Sequence, residues 1–135
     1  MREVTASRRI HATPVEISSR FDPPAIVEAE GSFTVESVDE REEVTIVVAS
    51  GPGMQLPLRF EYRDDALYYT QDGEQGPFEH METWLEFDSL NGETAVTFRS
   101  SVSLAAPLPF GDRIAAWKRK GELNRALEAI ASEFD

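Results

Sequence analysis

The segment from Gly111 to Phe134 constrains the fold of this chain more than any other. It follows two prolines, Pro107 and Pro109, and contains no helix breaker except Gly121. Gly111 and Asp112 stand where a cap and a favourable negative charge belong. At the rise of an α-helix the segment is about 36 Å long, the width of a small domain. Ala116, Leu123, Leu127, Ile130 and Phe134 recur at helical spacing, and Ile114 and Trp117 widen the stripe around the first turns. Glu122, Arg125, Glu128 and Glu133 fall largely outside it. A helix this long with one apolar side needs a broad partner, and a curved sheet is the natural one.

The residues before it supply such a sheet. From Gly31 onward the period is two, with strands expected over Ser32–Val38, Val44–Ala49, Gln55–Arg63, Ala66–Gln71, His80–Phe87 and Thr94–Leu104. Turn chemistry such as Ser50-Gly51-Pro52-Gly53, Asp72-Gly73 and Asn91-Gly92 separates them, which specifies an antiparallel meander. Leu56, Leu58, Phe60 and Tyr62 share one face of their strand, as do Met81, Thr83, Leu85 and Phe87, and Val96, Phe98, Ser100, Val102 and Leu104. The opposite faces are charged or polar. One apolar face and one amphipathic helix make a two-layer α+β domain.

Two features precede the meander. Glu3 to Ile10 alternates as a half-buried strand, and Ala12-Thr13-Pro14-Val15-Glu16 combines a threonine cap, a proline at the first helical position and a glutamate three residues after the cap. A short helix is expected from Pro14 to about Phe21, and a further turn of helix from Pro24 to Glu30. No repeat or linker interrupts the 135 residues, so one domain over 1–135 is expected.

Composition narrows the function classes. The absence of cysteine excludes disulfides, thiolate nucleophiles and thiolate metal sites. Neither an apolar leader nor a stretch long enough to span a bilayer is visible, so a soluble, cytoplasmic protein without stable membrane insertion is expected. The formal net charge is -12, and Lys118 and Lys120 are the only lysines. Such an acidic, arginine-preferring surface suits a salt-rich cytoplasm, where a Debye length of roughly 3 Å at molar salt screens the self-repulsion. It also makes nucleic acid a poor partner.

The order of strand, two short helices, six strands and closing helix resembles the helix-grip fold of the START-like (SRPBCC) superfamily, which includes polyketide cyclases and lipid-transfer domains. The residues that carry the resemblance are Ala12-Thr13-Pro14-Val15-Glu16 and Asp112-Arg113-Ile114-Ala115-Ala116-Trp117-Lys118, while Gly76 to Thr83 is similar to uncharacterised haloarchaeal members. The resemblance spans the whole chain. It implies a cavity between sheet and helix for a hydrophobic or amphipathic small molecule or lipid, with no cofactor, in a monomer or homodimer. Phe33, Leu58, Phe60, Tyr62, Met81, Leu85, Phe98 and Trp117 would line it, with Thr83 and Ser100 as sparse polar contacts. Gly121 would leave room for a ligand or a bend, since a glycine inside a helix costs on the order of 1 kcal/mol relative to alanine. Each of these side chains has a plain alternative role, in core filling or close packing.

Enzymatic motifs are missing: no zinc-protease pair, phosphate-binding glycine loop, dinucleotide fingerprint or serine elbow occurs. A cyclase- or aromatase-like enzyme would need an ionisable group inside the cavity, for which Tyr62 is the candidate, with Tyr68 or Tyr69 replacing it under a shifted register and Arg8 as an outside choice. His80, Glu82 and Glu86 share a strand, but a solvated acidic face produces such clusters by chance, and no metal site is assigned. A third reading is a protein-interaction module with a filled core, using the outward Trp84.

Overall fold

The computed structural model describes residues 1–135. Strand β1 (Arg2–Ile10) leads into α1 (Pro14–Arg20) and α2 (Pro23–Glu30). Six strands follow: β2 (Thr34–Glu40), β3 (Thr45–Gly51), β4 (Met54–Arg63), β5 (Ala66–Gln71), β6 (Phe78–Leu90) and β7 (Glu93–Leu104). Helix α3 (Gly111–Phe134) closes the chain. All strand pairs are antiparallel in the order β1-β7-β6-β5-β4-β3-β2, so the first strand joins the last and the meander runs outward from them.

Local chemistry explains the boundaries. At α1 the Thr13 hydroxyl accepts from the Glu16 amide while the Glu16 carboxylate accepts from the Thr13 amide, a complete capping box. These bonds, led by that from the Thr13 backbone, hold the Glu16 carboxyl below its ordinary range. Helix α2 starts one residue earlier than its sequence suggests, at Pro23, because Asp22 caps it by accepting from the Ala25 amide. Its C-terminal Gly31 has φ 82°, the left-handed conformation that ends a helix. Both central residues of the β4–β5 and β6–β7 turns, Asp64-Asp65 and Asn91-Gly92, have positive φ, as tight antiparallel hairpins require.

The start of α3 differs from expectation. Phe110, at φ 57°, precedes the helix, and no side chain caps it. Asp112 instead accepts from the backbone amide of Leu104 at 2.9 Å and the hydroxyl of Ser103 at 3.2 Å, tying the first turn to the end of β7. Further along, α3 lies across β1, β7 and α2. Arg125 donates to the carbonyl of Glu30 at 2.8 Å, Lys120 donates to the carbonyl of Thr5, and Phe134 packs on Phe21 with ring centroids 6.4 Å apart. One continuous core results, with Ile17, Ile26, Val47, Phe98, Leu123 and Ile130 fully buried in it.

Candidate functional site

A single polar row crosses the inner face of this sheet. Register pairs Thr83 of β6 with Tyr69 of β5 on one side and with Ser100 of β7 on the other, and Tyr69 in turn pairs with Phe60 of β4. Strand alternation points all of them at the helical layer. Phe60 and Tyr69 stack at 4.3 Å with an interplanar angle of 17°, which fixes the phenol ring. The Thr83 and Ser100 hydroxyls lie 2.8 Å apart.

Arg119 of α3 comes down on this row. Its five N–H donors all find acceptors: Nε donates to Ser100 Oγ (3.1 Å), Nη1 to Glu30 Oε1 (2.6 Å) and Glu122 Oε1 (3.0 Å), and Nη2 to Tyr69 Oη and Thr83 Oγ1 (both 2.8 Å). Tyr69 donates its own hydroxyl proton to Glu30 Oε2. Glu30 is the last residue of α2, and Glu122 lies one turn beyond Arg119 on α3. All six residues are buried. Burial, the largest influence on Tyr69, pushes its phenol well above the ordinary tyrosine range and keeps it protonated. Burial alone would depress Arg119, but the charge of Glu30, helped by that of Glu122, holds its guanidinium well above the ordinary arginine value.

Beside this cluster is a cavity of about 240 Å³ between α2, α3 and the β4–β6 part of the sheet. Its walls are mostly apolar, including Val27, Phe33, Leu56, Leu58, Phe78 and Met81, and the polar floor is made by Glu30, Tyr69, Arg119 and Glu122. The mouth lies where Met54, Ile114 and Lys118 reach solvent. Glu122 presents its second carboxylate oxygen without a protein partner, whereas both oxygens of Glu30 are engaged.

The residues named from sequence separate into three groups. Phe33, Leu58 and Met81 line the cavity. Phe60, Leu85 and Phe98 are buried in the core beyond it, while Thr83 and Ser100 hold Arg119 from beneath. Tyr62, Trp117 and Gly121 are corrections. Tyr62 has the inward phase but is 64% exposed, because β4 there has run past the helical layer into the open groove beside Pro23 and the β2–β3 loop. Trp117 is 80% exposed: two residues before Arg119, it lies roughly 160° around the helix from that buried side chain. A Cβ on Gly121 would meet only Arg125 of its own helix, at 3.5 Å, so this glycine opens no space toward the cavity.

Arg8 is likewise exposed on the edge strand β1. On the outer face, Trp84 packs at 4.6 Å against Tyr68 and lies between Arg63 and Arg99, so it is partly covered by its own neighbours. Tyr68 donates to Glu82, and Arg99 pairs with Glu86 at 2.7 Å; His80 Nε2 is 3.9 Å from Glu82. Glu30, Arg119 and Glu122 were not anticipated from the sequence. The signal was the phase of Arg119, which falls with Ala116, Leu123, Ala126 and Ile130 in the apolar stripe, where an unpaired charge is untenable.

No protein-family model matches the sequence, and no curated protein matches it. Solved structures do match in shape. A START superfamily protein from Mycobacterium smegmatis superposes with a TM-score of 0.70 at 14% identity, covering 98% of this chain and 99% of that one. The Zhui aromatase/cyclase from Streptomyces gives a TM-score of 0.66 at 15% identity, over 96% of this chain and 93% of that one. A protein from Thermus thermophilus gives 0.71 at 19% identity, over 99% and 100%. The seven-stranded curved sheet, the long C-terminal helix and the two short helices after the first strand are therefore the helix-grip fold seen in START-domain and aromatase/cyclase structures.

Proposed function

We propose that this chain is a binding or carrier domain for a compact hydrophobic small molecule held between the sheet and α3. The observation that carries the reading is the apolar cavity of about 240 Å³, open at Met54 and Ile114 and floored by an ordered polar cluster. Apolar walls with a few fixed polar groups are what small-molecule sites require. The volume is slightly below the range of drug-sized sites, which favours a small ligand or one end of a longer one.

An acid/base enzyme is less well supported. Tyr62 is outside the cavity, and Tyr69, which lines it, has its proton committed to Glu30 and its oxygen to Arg119. An interaction module built on Trp84 is disfavoured by the intramolecular packing of that side chain.

The test is an amide-NMR titration with small apolar probes, comparing the native chain with Ala115→Phe, which places a ring in the cavity wall. Saturable shifts confined to α2, α3 and β4 in the native chain, lost in a folded Ala115→Phe protein, are expected. Equal shifts in both would place binding elsewhere and end the proposal.

No helix is long and apolar enough to cross a membrane. We also take the protein to be cytoplasmic; its formal charge of -12 supports salt adaptation and disfavours nucleic acid as a partner.

A further inference from the structure

We propose that the cavity selects ligands whose polar end is a cation or hydrogen-bond donor, seated on the free oxygen of Glu122, and that it rejects anionic amphiphiles. The proposal rests on the reading of the cavity as a ligand site and assigns the chemistry of what enters it. Three observations carry it.

The first is the saturation of Arg119. A buried arginine in an apolar pocket would ordinarily be the anchor for a ligand carboxylate. Here each of its five N–H groups already has a protein acceptor, so a ligand anion could bind it only by displacing one of them; of the three that line the cavity, Glu30 and Glu122 are carboxylates and Tyr69 is stacked on Phe60 and bonded to Glu30. A displaced carboxylate would remain in a buried site without compensation, which is strongly unfavourable.

The second is the charge count at the floor. Two carboxylates, Glu30 and Glu122, face one guanidinium, and Tyr69 is held neutral. The excess is one negative charge beside apolar walls that lower the local dielectric and strengthen its field. Lys118 contributes the only other charge along the cavity lining, but it is exposed at the mouth and screened by solvent.

The third is the open valence. Glu122 has a side chain only 10% exposed, its Oε1 bound to Arg119, and its Oε2 without a protein partner. An ionised carboxylate oxygen can only accept. A complementary ligand therefore brings an ammonium, a hydroxyl or an N–H on an apolar body.

Phenethylamine, phenethyl alcohol and phenylacetate share a body and differ at the polar end, so one amide-NMR titration of each at neutral pH tests the idea. The amine is expected to bind about tenfold or more tightly than phenylacetate, with the alcohol between them. In Glu122→Gln the advantage of the amine over the alcohol should disappear while the alcohol binds as before. Phenylacetate binding as tightly as the amine, or an unchanged amine preference in Glu122→Gln, overturns this proposal and leaves the cavity reading intact. If none of the three shifts the residues around the cavity, both fail. The ranking on the native chain needs no variant, so it stands even if Glu122→Gln does not fold.

Discussion

Replacing Arg119 by methionine keeps the apolar stem of the side chain but ends it at the position of Nε, removing the charge and all five donors. The loss is uneven across its partners. Thr83 and Ser100 retain each other at 2.8 Å, and Tyr69 keeps Glu30 as acceptor. Glu122 is left with two unbound oxygens, but it lines the cavity and can recruit water. Glu30 suffers most, because Arg119 is the sole partner of its Oε1. Removing one member of a buried ion pair costs about 3–5 kcal/mol, a large share of the roughly 5–15 kcal/mol that stabilises a domain. At roughly 4 °C per kcal/mol for a chain of this size, the melting temperature should fall by about 12–20 °C.

The decisive measurement is a double-mutant cycle by urea denaturation, with the m-value checked for constancy. In the native background, Glu30→Gln should destabilise by about 1–3 kcal/mol, since it weakens the bonds from Arg119 and Tyr69. In the Arg119→Met background the same substitution should stabilise, because it removes a buried charge that has lost its counterion. A Glu30→Gln change that destabilises in both backgrounds, or an Arg119→Met cost below about 1 kcal/mol, would refute the view that this guanidinium compensates the carboxylates.

Other expectations are simpler. Gly121→Ala should raise stability by about 0.5–1 kcal/mol and leave probe binding unchanged, since the site is helical with ordinary space for a methyl; a loss of stability or binding would restore a role for the glycine. Asp112 is held below the ordinary carboxylate range first by the Leu104 amide and then by the N-terminal amine, so its contribution is present above the unfolded carboxylate pKa and is lost as pH falls through the lower folded value. Asp112→Asn should therefore flatten the acid limb of a plot of melting temperature against pH, and parallel curves for the two proteins would refute the assignment. Raising potassium chloride from dilute buffer to molar concentration should increase the melting temperature, because screening relieves self-repulsion at a formal charge of -12; a falling midpoint would contradict salt adaptation.

Much of the architecture was legible in local pattern. The bounds of α3 and β5, the capping box at Thr13 and the apolar phases of β4, β6 and β7 all follow from spacing and turn chemistry within a few residues. Errors arose where phase met the limits of a layer. Tyr62 has the right phase for burial, yet nothing covers the far end of β4, and no periodicity can tell where the helices stop. Trp117 was read as widening the α3 stripe because of its hydrophobicity, but tryptophan tolerates exposure and geometry puts it on the far side. Arg119 stands between the only two lysines, where local composition suggests a solvated charge, although its helical position belongs to the core.

The sequence by itself determined the elements, their order and the one-sided sheet that α3 must cover, because these depend on periodicity and on interactions between residues close in the chain. Only the tertiary structure decided the site. Glu30 and Arg119 are 89 residues apart, and Tyr69, Thr83 and Ser100 lie on three strands whose register sets them in one row. A buried guanidinium is stable only when all these acceptors arrive together. The gap left beside that cluster depends on how α3 stands off the sheet, a distance fixed by the packing of the whole core.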